Sequence, residues 1–304
     1  MGHGPPGGPG ARARDGRAGD GRAGPGAEVT RLYLIRHGQT TSNLVHALDT
    51  RLPGASLTDL GREQATAAGS ALAQVTRRVA VVSSLAARAH QTAAVLATVA
   101  RDAGTLTVPV GPGSDFAEEY SRAFRGPVPT LRLPDDATAQ AAAGEPGTVA
   151  TVPGITEIPA GDMEMRNDAE AHTVYHGLLG SWLHGDLDAA PPGGATGREV
   201  LDAYLTSLSG LVHAAVATGT DLAVVSHGAV IRLVARWLGD VDPAFAWRTY
   251  LPNAHRIDLD LDLDPASGQP GQPGQPAAAG PAAPDALRGA FRVVAWGAGD
   301  PAGA

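Results

Sequence analysis

The sequence predicts a three-layer α/β/α sandwich, with helices covering both faces of a mostly parallel central sheet. Short runs such as residues 32–35 and 222–225 are continuously apolar, as expected of parallel strands that are buried on both faces. Between such runs lie longer segments, rich in alanine and leucine, whose apolar residues recur at helical spacing. Strands that alternate with helices indicate an α/β fold built on one sheet.

The first half of the chain predicts, in order, a strand at 32–35, a helix from Thr58 to about 76, a strand at 79–82, a helix ending near 101 and a strand at 105–110. Thr58 has the side chain and the position of a helix N-cap. Ser83 and Ser84 are expected to cap the second helix, which carries Arg88 close to its start.

In the second half, structure is expected to resume near 155–158, followed by helices at 168–184 and 197–218, a strand ending at His227, a helix at 229–238 and strands at 256–264 and 291–296. The segment 197–218 carries apolar residues at helical spacing, which predicts an amphipathic helix. The segment 256–264 alternates charged and apolar residues, as a strand with one exposed face does.

Three segments show no periodic pattern. Residues 1–27 are almost wholly Gly, Ala, Pro, Arg and Asp, so they cannot bury enough apolar surface to fold and are expected to be a disordered tail. Residues 111–154 and 265–285 are low-complexity insertions. The first of them is either a lid that sets substrate specificity or an insertion without function. We therefore expect one domain over 28–299 with two insertions.

Composition excludes several chemistries. The chain has no cysteine, which rules out disulfides, cysteine nucleophiles and thiolate metal sites. It has no lysine either, which rules out a lysine Schiff base and the lysine of a P-loop. A net charge of -8 argues against a nucleic-acid partner. The first 27 residues lack the apolar core of a signal peptide, and no stretch approaches the roughly 20 apolar residues of a membrane span. A cytoplasmic protein without a membrane partner is expected.

Two predicted strands end in a histidine followed by a glycine. Arg36-His37-Gly38 follows the first strand, and His227-Gly228 follows the strand near 225. Open α/β sheets bind ligands at the carboxyl ends of their strands, so two histidines and an arginine there predict an anion site. Arg88, close to the start of a helix, can add its guanidinium and the positive helix end. A neutral imidazole among cations is a competent nucleophile toward phosphorus.

Four blocks carry a more specific resemblance: LIRHGQTTSN at 34–43, LTDLGREQA at 57–65, SLAARAHQTA at 84–93 and VVSHG at 224–228. In this order they resemble the signature of the histidine phosphatase superfamily, which includes the cofactor-dependent phosphoglycerate mutases. The resemblance covers roughly residues 29–260 apart from the 111–154 insertion. It implies a phosphoglycerate mutase-like fold and a reaction that needs neither a metal nor a cofactor.

The resemblance also implies a role for each matching residue. His37 would be the phosphorylated nucleophile, and Glu157, in a Glu-Ile-x-x-Gly context, would be the acid/base. The phosphoryl oxygens would be bound by Arg36, Arg88, His227 and Gly228, with Asn43 lining the pocket or capping the following helix. The family often has Glu-Gly a few residues after the acid/base, where this chain has Glu164-Met165. Glu164 is therefore a second candidate for the acid/base.

These residues predict a metal-independent phosphomonoester hydrolase that acts on a small phosphorylated metabolite through a phosphohistidine. The alternatives are a phosphoglycerate or phosphosugar mutase and, more remotely, an inactive protein that binds a phosphorylated ligand. Water is favoured as the acceptor because the segment 158–168 is net acidic, with Arg166 as its only cation, and is poorly suited to a second phosphate. The block at 39–43 is also more similar to the phosphatase branch. The expected partners are the metabolite and, in a homodimer, a second copy of the chain.

Two further patterns have simpler interpretations than metal binding. His172 and His176 have the i,i+4 spacing of a zinc pair, but no glutamate of a metalloprotease motif lies between them and no third ligand is evident. Alternating aspartates, at Asp258, Asp260, Asp262 and Asp264, lack the glycine of a calcium loop. We expect those aspartates to form a solvated or edge face of a strand.

Overall fold

The apolar runs of the sequence become the strands of the sheet, because residues covered on both faces have to be hydrophobic. The computed structural model describes residues 1–2, 30–124, 149–261 and 287–297. Within those ranges the strands are β1 (Arg31–Arg36), β2 (Arg78–Ser83), β3 (Leu106–Val108), β4 (Val149–Thr151), β5 (Asp221–Ser226), β6 (Arg256–Leu261) and β7 (Phe291–Trp296).

The helices begin mostly where the sequence provides a capping side chain. They are α1 (Thr41–Leu44), α2 (Asp59–Ala73), α3 (Ala87–Asp102), α4 (Asp115–Phe124), α5 (Ala169–Leu183), α6 (Gly197–Ala217), α7 (Gly228–Leu238) and α8 (Pro243–Arg248), with a 3-10 turn at Gly161–Met163. Thr58, Asp168 and Thr196 each accept a hydrogen bond from a backbone N–H of the first turn, which caps α2, α5 and α6.

Among the described residues, the sheet has seven strands in the order β3-β2-β5-β1-β6-β7, with β4 paired to β2 beyond the end of β3. The strands β1, β2, β3, β4 and β5 run parallel, whereas β6 and β7 are antiparallel additions at one side. The predicted mostly parallel sheet is thus confirmed. Its two central strands, β5 and β1, are parallel neighbours whose carboxyl ends lie at the same edge.

Side chains alternate between the two faces of the sheet and form two separate cores. Tyr33 and Ile35 of β1 belong to a smaller core with α2 and α3. Leu32 and Leu34 point to the other face, where they join a larger core with α4, α5, α6, α7 and α8. This period-2 division of β1 between two helical layers is the predicted three-layer sandwich.

The prediction of a featureless segment at 111–154 is wrong for its two ends. Helix α4 occupies Asp115–Phe124 and strand β4 occupies Val149–Thr151. Phe116 and Tyr120, one helical turn apart, are both buried in the larger core. The surrounding Gly and Pro residues masked this short amphipathic signal in the sequence. Residues 125–148 lie outside the described residues, as do the predicted tail at 3–27 and the predicted insertion at 265–285.

The prediction for the alternating aspartates is also wrong where it can be checked. Strand β6 lies between β1 and β7, and Asp258 and Asp260 are only 8% and 7% exposed. Asp260 pairs with Arg31 and Arg292, and Asp258 pairs with Arg256. These ion pairs provide the partners that buried charged groups require. Asp262 and Asp264 lie outside the described residues.

Helix α3 begins later than its predicted serine caps. Its N-cap is Ala86, which forms no side-chain capping bond. The hydroxyl of Ser84 accepts a hydrogen bond from the backbone N–H of Ala86 at 3.3 Å. Ser83 is the last residue of β2 and is fully buried. Arg88 nevertheless lies in the first turn of the helix, close to where the sequence predicted it.

Helix α6 is apolar for a structural reason. At 21 residues it is long and apolar enough to cross a membrane by length and composition, which the sequence analysis did not anticipate. In the fold, 61% of its most apolar window is buried. It supplies Leu201, Leu205 and Leu208 to the larger core, so packing against the sheet accounts for its composition.

Two glycines bring the turn after β1 into direct backbone contact with α2. A Cβ atom on Gly38 would overlap the carbonyl oxygen of Gly61, and a Cβ on Gly61 would overlap the carbonyl oxygen of Gln39. The backbone N–H of Thr58 donates to the same Gln39 carbonyl at 3.0 Å. The turn that carries His37 is therefore fixed by close packing on the start of α2.

We expect Gly61→Ala to lower the free energy of unfolding by roughly 1–3 kcal/mol, the usual cost of overpacking a site that cannot expand. Gly177→Ala is the matched control, because Gly177 also lies in a helix but a Cβ there would meet nothing within 4 Å. The control should gain up to about 1 kcal/mol from helix propensity. Urea denaturation of both variants measures the difference. Equal stability of the two variants would contradict the packing argument.

Candidate active site

His37 and His227 meet because β1 and β5 are adjacent and in register. Arg36 is paired with Ser226 at the ends of the two strands, so each histidine is the first residue beyond the ladder. The backbone N–H of His37 donates to the carbonyl oxygen of Ser226 at 3.0 Å. The two rings lie edge to face with their centroids 5.2 Å apart. Both are buried, with exposures of 4% and 0%.

The hydrogen bonds of His37 define which ring nitrogen can act as a nucleophile. Nδ1 lies 2.7 Å from the carbonyl oxygen of Gly38, which can only accept, so Nδ1 carries the proton. Nε2 therefore has the lone pair, and it accepts a hydrogen bond from Arg88 Nε at 3.2 Å. Burial, followed by the charges of Arg88 and Arg36, holds the pKa of His37 well below its usual 6.5. The imidazole is thus neutral at neutral pH.

Arg88 is held from the opposite side by the loop that follows α1. Its Nη2 donates to the carbonyl oxygen of Asp49 at 2.9 Å, and its Nη1 lies 3.8 Å from Asp49 Oδ2. That carboxylate is fixed by Ser42 Oγ and by the N–H of Ala55, both at 2.8 Å. Within the described part of the chain, buried Nη1 has no hydrogen-bond partner. Gly54, with φ of +69°, allows this approach because a Cβ there would overlap Arg88 Nη1.

Arg36 reaches the site from the end of β1. Its Nη1 donates to the hydroxyl of Tyr250 at 2.5 Å and to the carbonyl of Leu251 at 2.7 Å. Its buried Nε finds no acceptor among the described residues. A Cβ on Gly228 would lie 2.9 Å from that Nε, so the glycine makes room for the guanidinium. Two arginines thus bring unsatisfied N–H donors to a single site.

Glu157 lies at the N-terminus of α7. Its Oε1 accepts from the N–H groups of Ile158 at 2.9 Å and Val230 at 3.1 Å, and its Oε2 lies 3.4 Å from the N–H of Ala229. Helix N-termini favour anions because their N–H groups are free and the dipole is positive there. The carboxyl group lines the cavity next to the arginines.

Glu164, the second candidate, does not line this cavity. Its carboxylate accepts from the N–H groups of Thr50 and Arg51, at 2.9 and 3.0 Å, and from the hydroxyl of Thr50. These bonds tie the 3-10 turn to the loop that holds Arg88. Glu157 thus lines the cavity, whereas Glu164 braces the loop beside it.

Asn43 lies inside α1 as its third residue, where its side chain takes part in capping that helix and does not cap a following one. Its Oδ1 accepts from the N–H of Thr40 at 3.1 Å, which completes a capping box on α1. The same side chain lines the cavity and receives a bond from Asn253 Nδ2 at 3.2 Å.

The cavity has a volume of about 700 Å³, and His37 lines it, whereas His227 does not. Its lining also includes residues that the sequence motifs did not assign to the site, namely His46, His172, Tyr175, His176, Leu179, Arg232, Trp247, Tyr250 and Asn253. Arg232 lies one helical turn after Gly228 on the same face of α7, a spacing that could have identified it. Its Nε and Nη2 hold the carbonyls of Ala246 and Trp247 at 2.5–3.0 Å.

His172 and His176 face this cavity with their ring centroids 5.5 Å apart. His172 Nε2 donates to the carbonyl oxygen of His46 at 2.7 Å. In the ranges that the structure describes, no three His, Asp or Glu side chains are grouped as a metal site. Both side chains form part of the cavity wall.

Comparisons with known proteins identify the family and the fold of the chain. The sequence model of the histidine phosphatase superfamily, branch 1, matches residues 32–112 and 136–266. A solved structure named mycobacterial hydrolase 1 has a TM-score of 0.56 at 20% identity, covering 89% of this chain and 100% of that one. The native structure of a mycobacterial glucosyl-3-phosphoglycerate phosphatase has a TM-score of 0.52 at 18% identity, with the same coverages. At these identities the similarities show the fold alone.

A further similarity is confined to a short segment. A PE-PGRS family protein of Mycobacterium tuberculosis is 43% identical over 65 residues, which are 21% of this chain. The match spans only 11% of that protein's length.

The buried neutral histidines predict that the free energy of unfolding decreases as the pH is lowered. Burial and the nearby arginines lower the pKa of both His37 and His227 well below 6.5. Below pH 6.5 the unfolded chain binds protons that the folded protein does not, so the free energy of unfolding should decrease from pH 7.5 to 5.5. Each such histidine contributes up to about 1.4 kcal/mol per pH unit.

Urea denaturation at several pH values between 7.5 and 5.5 measures this dependence. His37→Asn should reduce the slope by the contribution of one histidine. His213→Asn, at an exposed position of α6, is the control for the effect of the substitution itself. A His37→Asn protein with the wild-type slope would show that His37 is not held neutral.

Proposed function

The chain belongs to the histidine phosphatase superfamily, and from this premise we propose that it hydrolyses a phosphate monoester of a small metabolite through a phosphohistidine on His37. The observation that carries the proposal is the neutral imidazole of His37, whose Nε2 lone pair faces Arg88 while Nδ1 is bonded to a carbonyl. Charge stabilisation comes from Arg36 and Arg88, so the proposed mechanism calls on no metal ion.

Substrate binding changes the contacts of Arg88 first. In the ligand-free site, the Arg88 Nε–H group donates to His37 Nε2 and occupies the lone pair that must attack. A phosphoryl oxygen is a stronger acceptor than an imidazole, so it takes over this donor and frees the lone pair. The same anion satisfies the buried Arg88 Nη1 and Arg36 Nε.

The first chemical step forms a bond between His37 Nε2 and phosphorus and breaks the ester P–O bond. Glu157 donates a proton to the departing oxygen, so the leaving group departs as an alcohol. The imidazole becomes cationic as Nε2 is phosphorylated. Its Nδ1–H bond to the Gly38 carbonyl stabilises that charge and holds the ring in place.

The second step reverses these roles. Glu157, now ionised, takes a proton from water as the water oxygen bonds to phosphorus and the P–N bond breaks. Phosphate is released and His37 returns to the neutral form. Arginine donors stabilise the charge on the equatorial oxygens in both steps, which is the main source of catalysis in phosphoryl transfer.

The size of the cavity supports a metabolite as the substrate. A volume of about 700 Å³ leaves room for a leaving group beside His172, Tyr175 and Trp247. Arg166, the cation of the acidic segment, forms ion pairs with Asp168 and Glu170 at the surface. It therefore supplies no charge for a second phosphate, which supports water as the acceptor. Glucosyl-3-phosphoglycerate belongs in a substrate panel because a structure of the same fold is named for its hydrolysis.

We expect His37→Ala to abolish release of inorganic phosphate from an aryl phosphate and to abolish labelling of the enzyme by radioactive substrate. The exposed His213→Ala control should keep both. Rapid-quench labelling and a phosphate assay measure the two properties. Normal hydrolysis by the His37→Ala variant would contradict the proposed phosphohistidine intermediate. A second outcome would contradict water as the acceptor of the phosphoryl group. It is an interconversion of 2- and 3-phosphoglycerate that is stimulated by bisphosphoglycerate and is much faster than hydrolysis.

Glu157→Gln should slow hydrolysis according to how much the leaving group needs a proton. We expect a loss of about 10²–10⁴-fold in kcat for an alkyl phosphate. The first step with p-nitrophenyl phosphate, whose leaving group is a weak base, should be much less affected in a burst experiment. Glu164→Gln is the control, and it should change both substrates equally. An equal loss for both substrates in Glu157→Gln would exclude it as the acid.

A further inference from the structure

His227 is set behind the cavity and has one partner for its two ring nitrogens. Its Nε2 lies 2.8 Å from Ser84 Oγ, and the side chain is fully buried. Its Nδ1 is buried as well and has no hydrogen-bond partner within the described ranges. Its ring packs edge to face on the ring of His37 with the centroids 5.2 Å apart, so the unpaired nitrogen lies next to the nucleophile.

The hydroxyl of Ser84 has a defined direction. Its oxygen already accepts from the backbone N–H of Ala86 at 3.3 Å. Its single proton is left for His227 Nε2, the other polar atom bonded to it in the described structure. An imidazole that accepts at Nε2 and is neutral carries its proton on Nδ1. Burial, with the charges of Arg88, His37 and Arg36, keeps the pKa of His227 well below 6.5 and so keeps it neutral.

From these contacts we propose that Ser84 is a positioning residue that fixes His227 as the Nδ1–H tautomer, so that Nδ1 donates to a phosphoryl oxygen. The inference rests on the proposed phosphoryl site and names a residue that sets its hydrogen-bond polarity. With the opposite tautomer, Nδ1 would turn a lone pair toward the anion, which is repulsive. Nε2 would then carry the proton, and the hydroxyl of Ser84 would have no acceptor for its own proton.

Ser83 provides a matched control for this assignment. Ser83 and Ser84 are neighbours at the end of β2 and are both 0% exposed. The hydroxyl of Ser83 has no hydrogen-bond partner in the part of the chain that the structure describes. Ser83→Ala and Ser84→Ala therefore remove the same atoms from equally buried positions, and only the second removes the contact to His227.

The experiment reads the tautomer directly. Long-range ¹H–¹⁵N spectra of protein labelled at histidine distinguish Nδ1–H from Nε2–H. We expect His227 to be the Nδ1–H tautomer in the wild type and in Ser83→Ala, with its Nδ1 signal moving when inorganic phosphate is added. Ser84→Ala should show a mixture of tautomers and a raised inhibition constant for phosphate. An Nε2–H tautomer in the wild type would overturn the proposal.

Kinetics give an independent readout. Ser84→Ala should lower kcat with an aryl phosphate by about 10–100-fold, less than the loss of a whole donor group. Ser83→Ala should stay within about twofold of the wild type. In the His227→Gln background, adding Ser84→Ala should have little further effect, because the serine acts through the histidine. Equal losses in the two serine variants, or an undiminished Ser84→Ala effect without His227, would overturn the proposal.

The two arms separate this inference from the proposed function. The spectra require phosphate binding but no turnover. A wild-type protein that binds phosphate at Nδ1–H of His227 without hydrolysing any ester would contradict the proposed hydrolase and leave the role of Ser84 supported.

Discussion

The parallel pairing of β1 with β5 is the constraint on which the site depends. Because the ends of both strands lie at one edge and Arg36 is paired with Ser226, the next residue of each strand is a histidine facing its counterpart. A slip of one residue would turn each side chain to the opposite face of the sheet. Register is fixed by rows of buried apolar residues, such as Leu32 beside Leu222. The geometry of the polar site is thus set by hydrophobic packing.

In the ligand-free site, buried donors without hydrogen bonds lower the stability of the folded protein, and a bound anion would remove this cost. Arg36 Nε and Arg88 Nη1 are buried donors that meet no acceptor in the described residues. Each such group costs roughly 1–3 kcal/mol of the stability gained elsewhere. The carbonyl oxygens of Leu251 and Asp49 accept hydrogen bonds from the guanidinium groups of Arg36 and Arg88, but as neutral groups they do not neutralise the positive charge. A phosphoryl dianion would satisfy both donors at once, so binding energy is stored in the folded protein before the ligand arrives.

Elements with a strong local signal could be predicted from the sequence, and those defined by distant contacts could not. Strands β1 and β5 and the caps of α2 and α5 follow from apolar runs and side chains such as Thr58 and Asp168. Asp260 of β6 looks solvated in sequence because its partner Arg31 is 229 residues away. Ser84 looks like a helix cap until the fold sets it against His227, 143 residues further on.

The glycines show that the motif specifies shape as well as charge. Gly54 and Gly228 give Arg88 and Arg36 the space they occupy, and Gly38 and Gly61 let two backbones touch beneath the nucleophile. A chain could keep every histidine and arginine and still lose the site if one of these positions gained a side chain. The space beside Arg36 and Arg88 and the charge of the two guanidinium groups are therefore parts of one anion-binding arrangement.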